Sequence, residues 1–221
     1  MFHFFGRREI LHSSNKILEK VYGAKTDDDR RQAYNEWAQD YDRDVSGFGI
    51  QLPYVGASVF ARHIELGTMP VLDAACGTGM HTLPLSMMGY SGFHGIDISD
   101  GMLTIAKARG CYASLTRMAL GKPLDIADDH FAASYCIGAL AHGHAPPESL
   151  NELIRVTRPG GLIIWSTHAH LNERTQPYQE FRHALTSDRQ WIPIFETPPF
   201  VSMPDGDSAI QHAVYVYEVC S

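Results

Sequence analysis

Long apolar runs and strongly basic segments are both missing from this sequence. No stretch reaches the roughly 18 apolar residues that a membrane-spanning helix needs, so we expect no span and no membrane partner. No run of Lys and Arg exceeds two residues, and the formal net charge is −7. Nucleic-acid binding depends on clustered cations that neutralise phosphates, so this composition argues against a nucleic-acid partner.

Cysteine is scarce and shows no ligand-like spacing. The four residues, Cys76, Cys111, Cys136 and Cys220, include no Cys-x-x-Cys pair. We therefore expect free thiols in a reducing compartment, a cytoplasmic location and no metal site. The N-terminal residues lack the apolar segment of a secretory signal peptide, and the chain has no internal repeat or low-complexity tract.

The chain contains enough apolar material for one α/β domain, with 221 residues of which 44% are hydrophobic. From Val71 onward, short apolar runs alternate with helical patterns. The spacing predicts strands at 70–74, 92–97, 111–117, 131–137, 161–167, 191–197 and 209–219, and helices at 79–88, 100–109, 147–157 and 176–187. Such an alternation is typical of a parallel, doubly wound sheet.

The segment before this alternation is predicted to be helical. Apolar spacing indicates a helix over 8–22, and Pro53 opens another that ends near Leu66. Between them, Thr26 is a candidate N-cap for a helix that carries Tyr34, Trp37 and Tyr41 on one face. We expect residues 1–66 to form a helical lid segment packed on a core of residues 67–221. The aromatic face either docks on the core alone or also contacts a ligand.

The most informative stretch is Val71–Gly79, a short apolar run followed by a Gly-x-Gly turn. Glycine permits positive φ angles and close approach of the backbone to a ligand. A strand, such a turn and a helix N-terminus together direct several N–H groups into one crevice. A second apolar run ends at Asp97, 18 residues after Gly79. This separation is close to the roughly 20 residues typical of a carboxylate that accepts hydrogen bonds from a ribose.

Two residues distinguish between possible nucleotide ligands. Thr82 stands where the dinucleotide fingerprint requires its third glycine, and Asp73 at the strand end would repel a pyrophosphate. A carboxylate there suits a ligand with positive charge, such as S-adenosylmethionine (SAM), which carries an ammonium and a sulfonium. An NAD-dependent oxidoreductase is therefore the weaker interpretation.

Three motifs together resemble the class I SAM-dependent methyltransferases. They are Asp-x-x-Cys-Gly-Thr-Gly at 73–79, Gly-Ile-Asp-Ile-Ser at 95–99 and Arg-Pro-Gly-Gly at 158–161. The stretch Tyr34–Asp42 narrows the resemblance to methyltransferase-like proteins of the Williams–Beuren region type. The resemblance covers roughly residue 32 to the C-terminus. It implies a Rossmann-like, seven-stranded, mostly parallel sheet with an antiparallel last strand, and a helix that folds over the cofactor.

The resemblance and the turn chemistry together give a set of candidate residues for binding SAM or its product, S-adenosylhomocysteine (SAH). The candidates are Trp37, Tyr41, Asp73, Ala74, Gly77, Thr78, Gly79, Asp97, Ile98, Met102, Ala119, Leu120, Ile137 and Gly138. By resemblance, Met102 packs on adenine, although an isolated Met at this spacing is more often core. Relatives usually carry an Asp where Ala119 stands, so we expect adenine to be recognised by backbone groups of Ala119 and Leu120.

The loop after the fourth strand contains His142, our candidate general base for an acceptor O–H or N–H. A purely structural role for His142 is equally open, and a metal pair of His142 with His144 is disfavoured because no other ligand lies at a suitable spacing. His168 and His170 follow the fifth strand, near the rim of the expected site. We assign them no role.

The predicted function is methyl transfer from SAM to a small molecule by in-line displacement. The small size, the acidity and the absence of an appended recognition domain favour a small acceptor. A SAM- or SAH-binding protein without turnover is the main alternative, because the adenine-contacting Asp of the relatives is replaced by Ala119 and no base is assured.

Overall fold

A computed structural model describes residues 17–170, 172–206 and 209–221. Its helices are α1 (17–23), α2 (Asp27–Gly47), α3 (Leu52–His63), α4 (Leu83–Met87), α5 (Asp100–Arg109), α6 (Ser149–Val156) and α7 (Gln176–Ser187). Its strands are β1 (Val71–Ala74), β2 (Phe93–Asp97), β3 (Tyr112–Arg117), β4 (Phe131–Cys136), β5 (Thr157–His168), β6 (Trp191–Glu196), β7 (Phe200–Val201) and β8 (Gln211–Val219). The predicted helix over 8–22 lies mostly outside the described residues.

The strands form one mixed sheet in the order β3-β2-β1-β4-β5-β8-β6, with β7 also paired to β8. Strands β1 to β5 run parallel, while β8 is antiparallel to β5, β6 and β7. The parallel, doubly wound core and the antiparallel last strand are thereby confirmed.

The sheet has eight strands, so the predicted number of seven was wrong by one. Strands β6 and β7 lie along the same edge of β8, separated by Thr197, Pro198 and Pro199. Proline has no N–H to donate to a sheet, so consecutive prolines interrupt this edge and leave Phe200–Val201 as a separate short strand.

Two predicted helices are shorter than their patterns indicated. The helix expected over 79–88 is reduced to α4, because Gly79 has a φ of 79° and the chain turns until Pro84 occupies the first helical turn. The helix predicted to end near Leu66 ends at His63, where Ile64 takes an extended conformation.

Apolar cores lie on both faces of the sheet, as expected for strands that are buried on both sides. One core packs α6 and α7 against Trp165, Trp191 and Tyr215, and the other packs α3 against β1, β4 and β8 around Phe60. A third, smaller cluster joins α1 and α2 through Val21, Trp37 and their neighbours. The sheet is therefore packed on both faces, including at the end where its parallel strands terminate.

The cysteines and the helices bear on two expectations drawn from composition, namely free thiols and no membrane-spanning helix. Cys76, Cys111 and Cys136 are buried, Cys220 is partly exposed, and all four are free thiols. None of the described helices combines the length and the apolar character required to cross a bilayer.

Candidate functional site

The carboxyl ends of β1, β2 and β4 border a crevice, in the position where open α/β sheets bind ligands. The turn after β1 takes positive φ angles at Ala75 (57°), Gly77 (55°) and Gly79 (79°). A Cβ atom added to Gly77 would meet no other atom within 4 Å, whereas one added to Gly79 would lie 3.0 Å from Tyr112. Gly77 thus leaves open space for a ligand, and Gly79 is required by packing.

Asp97 ends β2 and lines this crevice. Its Oδ2 atom accepts a hydrogen bond from the Gly77 N–H at 2.9 Å, and its Oδ1 atom accepts one from the Ser99 N–H at 2.8 Å. Burial raises the pKa of this carboxyl to about 6, because desolvation disfavours the charged form. Each oxygen retains a lone pair for a further donor, as the predicted contact with ribose hydroxyls requires.

Asp73 is the third residue of the neighbouring strand β1, where it pairs with Gly95, and it has a different environment. Its Oδ2 atom accepts hydrogen bonds from Thr82 at 2.5 Å and from Tyr112 at 2.6 Å. Desolvation raises its pKa to about 6 as well. Asp73 is not among the residues that line the crevice, and through Oδ2 it connects β1 to the start of α4 and to β3.

The crevice brings together most of the candidate cofactor residues. Ten of them line it: Tyr41, Gly77, Thr78, Asp97, Ile98, Met102, Ala119, Leu120, Ile137 and Gly138. Four do not: Trp37, Asp73, Ala74 and Gly79. The lining also includes residues outside this candidate set: Arg30, Tyr34, Ala75, Cys76, His81, Met118, Ala139, His144 and Ala145.

Helix α2 covers the crevice and is attached to the loops around it. The side-chain oxygen of Asn35 accepts hydrogen bonds from the Ser99 hydroxyl at 2.7 Å and from the Gly101 N–H at 2.8 Å. Farther along α2, Asp42 accepts a hydrogen bond from Thr78 at 2.5 Å and forms an ion pair with Arg109. The helix is thereby joined to the loops that follow β1 and β2.

The first turns of α2 reach the loop that follows β4. Arg30 Nε donates a hydrogen bond to the Gly143 carbonyl at 3.2 Å, and the Tyr34 hydroxyl lies 2.7 Å from Nδ1 of His144. Trp37 points away from the crevice and donates a hydrogen bond to Asp44 at 3.0 Å. Of the predicted aromatic face, Tyr34 and Tyr41 therefore line the crevice, while Trp37 packs beside them.

A second cavity of about 650 Å³ adjoins the crevice. The two share five lining residues, which form the junction between them: Tyr34, Tyr41, His81, Gly138 and His144. The second cavity is walled mainly by apolar and aromatic side chains from α1, α2 and the loop before β8, including Trp37 and Phe48.

Four histidines line this cavity, namely His81, His144, His168 and His212. Burial lowers the pKa of His81 and of His144 to about 4 and that of His212 to about 3, and it also lowers the pKa of His168. All four rings are therefore neutral near pH 7. Their spacing does not create a metal centre, since no group of three or more potential ligands is positioned for one within the described ranges.

His142, the candidate base, lies elsewhere. Its side chain is exposed and borders a separate surface depression with Lys122 and Glu173. Gly143 has a φ of 84°, and the resulting turn directs His144 into the crevice while His142 faces outward. His168 lines the second cavity, and His170 is exposed. Because His142 and His144 are separated by one residue, they can face opposite sides of the loop, and this spacing could have suggested His144 as an alternative to His142.

The comparisons with known proteins agree with this geometry. Residues 71–161 match the family model described as a methyltransferase domain. Residues 71–161 form a class I SAM-dependent methyltransferase domain. The cofactor of such a domain is SAM. The adenosyl part of SAM suits Asp97, the open space at Gly77 and the apolar wall of Ile98, Met102 and Leu120.

Two curated proteins illustrate the relationship to other methyltransferases. Human methyltransferase-like protein 27 is 36% identical over 159 residues, which are 71% of this chain and 63% of that protein. Malonyl-[acyl-carrier protein] O-methyltransferase of Buchnera aphidicola is 29% identical over 139 residues, 63% of this chain and 54% of that protein. This chain thus spans less than two thirds of either relative.

Solved structures support the fold. A methyltransferase from the complex with the Haloferax volcanii Trm112 activator superposes with a TM-score of 0.65 at 18% identity. The superposition covers 85% of this chain and 98% of that one. At this identity the similarity concerns the fold of the methyltransferase domain.

Proposed function

We propose that this protein transfers a methyl group from SAM, bound in the crevice, to a small molecule held in the adjoining cavity. The supporting observation is the junction, where Gly138 and four polar side chains line both spaces. Gly138 has a φ of 77° and no side chain, so the backbone leaves a passage between cofactor and acceptor.

In this proposal, each group of residues that lines the crevice has a distinct role. Asp97 accepts hydrogen bonds from the ribose, and Gly77 allows the backbone to approach the ligand. Ile98, Met102 and Leu120 form the apolar surface for adenine, whose polar edge meets backbone groups of Ala119 and Leu120. Thr78 and Ile137 complete the walls.

Of the expected lid segment, residues 1–66, helix α2 acts in this proposal as the lid over the crevice, whereas α3 packs in the core against the sheet. Helix α2 is bonded to the loops after β1, β2 and β4, so a ligand enters only when these contacts open. Tyr41 lines the junction, where its aromatic ring can interact with a cation and stabilise it by about 0.5–2 kcal/mol.

SAM supplies an activated methyl group for in-line displacement. The protein therefore has to align the acceptor and exclude water, effects that contribute several kcal/mol. A base is required when the acceptor must lose a proton. His81 and His144 line the junction and are neutral, whereas His142 is exposed and outside the crevice. We therefore assign proton transfer to the junction histidines in place of His142.

The first test is ligand selectivity. SAH and SAM should raise the melting temperature, while NAD⁺ should leave it unchanged. At SAH concentrations about 100 times the Kd, the stabilisation should approach roughly 2.7 kcal/mol. Asp97→Ala should weaken SAH binding measured by calorimetry, because the ribose hydroxyls lose a charged acceptor. Stabilisation by NAD⁺ alone, or unchanged SAH affinity in a folded Asp97→Ala protein, would contradict the assignment.

Binding without turnover is the competing possibility, supported by the Ala119 replacement of the adenine-contacting Asp. It predicts SAH binding with no labelled product from radiolabelled SAM in any acceptor screen. Product formation that is lost in Asp97→Ala would decide in favour of catalysis.

A further inference from the structure

The chain leaves β4 directly before the junction between the crevice and the second cavity. Strand β4 ends at Cys136, which pairs with Trp165 of β5, and Gly138 follows two positions later with a φ of 77°. Strand β5 continues past Trp165 to His168, where it remains paired with β8. The Gly138 N–H therefore lies outside the ladder between β4 and β5, and it needs another acceptor.

The side chain of Ser166 supplies that acceptor. Its Oγ atom accepts a hydrogen bond from the Gly138 N–H at 2.9 Å, and Ser166 is only 1% exposed. A buried N–H that loses its acceptor destabilises the conformation that holds it, so this hydroxyl stabilises the turn at Gly138. Ser166 is not among the described residues that line either space. Its influence on the junction is therefore transmitted through Gly138.

The missing side chain of Gly138 leaves a gap at the junction. A Cβ atom placed on Gly138 would lie 3.5 Å from both Cε1 and Nε2 of His81 and 3.8 Å from Cδ1 of Leu52. His81 lines both spaces, and Leu52 lines the second cavity. The width of this gap depends on where the turn places the Gly138 backbone, and the hydrogen bond to Ser166 fixes that turn.

The far side of the gap carries an unpaired polar atom. Nε2 of His81 is shielded from solvent and has no hydrogen-bond partner among the residues that the structure describes. In native proteins such an atom commonly indicates a bound water, a ligand or a catalytic role. The gap at Gly138 thus borders a nitrogen that is left for whatever occupies the junction.

We propose that Ser166 is a positioning residue for methyl transfer, because it holds Gly138 in the conformation that keeps this gap open between the cofactor and the acceptor. The inference rests on the proposed function and adds a residue to it. Without the hydroxyl, the Gly138 N–H has no fixed acceptor and the turn loses its defined conformation. Asp97 and Gly77, which hold the nucleoside, follow β2 and β1 instead, so cofactor binding should depend little on Ser166.

The test uses two analogues of SAM in which nitrogen replaces the sulfonium sulfur. One carries a methyl group on this nitrogen, and the other carries a benzyl group that has to extend through the gap into the second cavity. Binding of both analogues and of SAH to the full chain is measured by calorimetry, which requires no acceptor. The wild type should bind the benzyl analogue within about tenfold of the methyl analogue. Binding of SAH without any binding of the benzyl analogue would overturn the proposal.

Two variants test the hydroxyl of Ser166. Ser166→Ala removes the acceptor, and Ser166→Cys replaces it with a thiol of similar size that accepts hydrogen bonds only weakly. In both variants the affinity for the benzyl analogue should fall about fivefold to tenfold, as expected for the loss of one hydrogen bond, while SAH affinity stays within about twofold. The Gly138 amide, followed by NMR, should exchange faster with solvent. If one variant does not fold, the other provides the same comparison.

Ser134→Ala is the matched control, since Ser134 is a fully buried serine of β4 whose Oγ atom lies 2.6 Å from Oγ1 of Thr157. It should retain the wild-type affinity for all three ligands. Unchanged affinity for the benzyl analogue in the Ser166 variants would reject the role of Ser166, as would an equal loss of SAH affinity or unchanged exchange of the Gly138 amide. Failure of the wild-type chain to bind SAH would instead reject the proposed function, so the two failures are distinguishable.

Discussion

At the scale of single residues, Asp73 and Asp97 show how environment decides the use of a carboxylate. Asp73 is the third residue of β1 and Asp97 the last residue of β2, and burial raises both pKa values to about 6. Oδ2 of Asp73 is occupied by the Thr82 and Tyr112 side chains, whereas Asp97 lines the crevice and accepts hydrogen bonds from backbone N–H groups. The same side chain is therefore bonded to other side chains in β1 and lines the crevice at the end of β2.

The raised pKa of Asp97 predicts pH-dependent binding. The ribose hydroxyls are donors, so the ionised carboxylate binds better than the protonated acid. SAH affinity should be constant above about pH 7 and should fall below about pH 6, by no more than tenfold per pH unit. Calorimetry from about pH 5 to about pH 8 measures this dependence.

Asp97→Asn should bind SAH weakly with a flatter pH profile over the same range. Asp100→Asn, at an exposed acid beside the site, should retain the wild-type profile. Three histidines that line the cavity, His81, His144 and His212, should not contribute, because burial lowers their pKa values to about 4 or below. An identical profile in Asp97→Asn would show that another group controls binding.

At the scale of secondary-structure elements, α2 has a capped N-terminus and forms side-chain hydrogen bonds with loops around the site. A capping box between Thr26 and Asp29 begins the helix, and three Asp residues in its first turn interact favourably with the helix dipole. The Asn35 and Asp42 side chains then bond to loops of the core. This arrangement suits an element that folds independently of the sheet and closes on it through a few polar contacts.

The Asp42 contact allows a matched test of the lid. Asp42→Asn removes the ion pair with Arg109 and weakens the bond from Thr78, so α2 should open more often. Because the pair is partly exposed, we expect a modest effect, a roughly threefold to tenfold faster SAH dissociation and faster hydrogen exchange in residues 30–45.

Asp40→Asn is the control for this test. Asp40 lies on the same helix and pairs with Arg43, with both side chains more than half exposed, so its loss should change neither rate. Equal dissociation rates in the wild type and both variants would show that the Asp42 contact does not hold the lid.

At the scale of the whole molecule, an aromatic stack stabilises the antiparallel end of the sheet. The Trp191 ring stacks on Tyr217 at 4.1 Å and on Trp165 at 6.1 Å, and Trp165 stacks on Tyr215 at 4.9 Å. Trp165 and Trp191 are fully buried. The loop that leads into β8 and its first residues also line the second cavity, so this end of the sheet borders that cavity.

Trp191→Ala should lower the free energy of unfolding by about 3–5 kcal/mol, because it leaves a large cavity in this stack. Ile192→Ala, at the neighbouring exposed position, should change it by less than about 0.5 kcal/mol. Urea denaturation of both variants provides the measurement. A loss below about 1 kcal/mol for Trp191→Ala would mean that the stack repacks around the missing ring.

The sequence by itself determined the order of strands and helices, the Gly-x-Gly turn and the position of Asp97. These features are encoded locally, by apolar periodicity and by the φ angles that glycine permits, so a short segment is sufficient to recognise them. The tertiary structure decided which side chains meet. Tyr112 reaches Asp73 across 39 positions, and Tyr34 reaches His144 across 110.

The junction between the cavities was decided by the tertiary structure for the same reason. Tyr34, His81, Gly138 and His144 come from three separate segments, and no spacing within any one of them indicates that they share a cavity. The choice between His142 and His144 depends on a single turn at Gly143, whose carbonyl accepts a hydrogen bond from Arg30 and where a Cβ atom would lie 3.1 Å from Tyr22. Local pattern therefore specified much of the crevice, while long-range packing specified the junction and the second cavity.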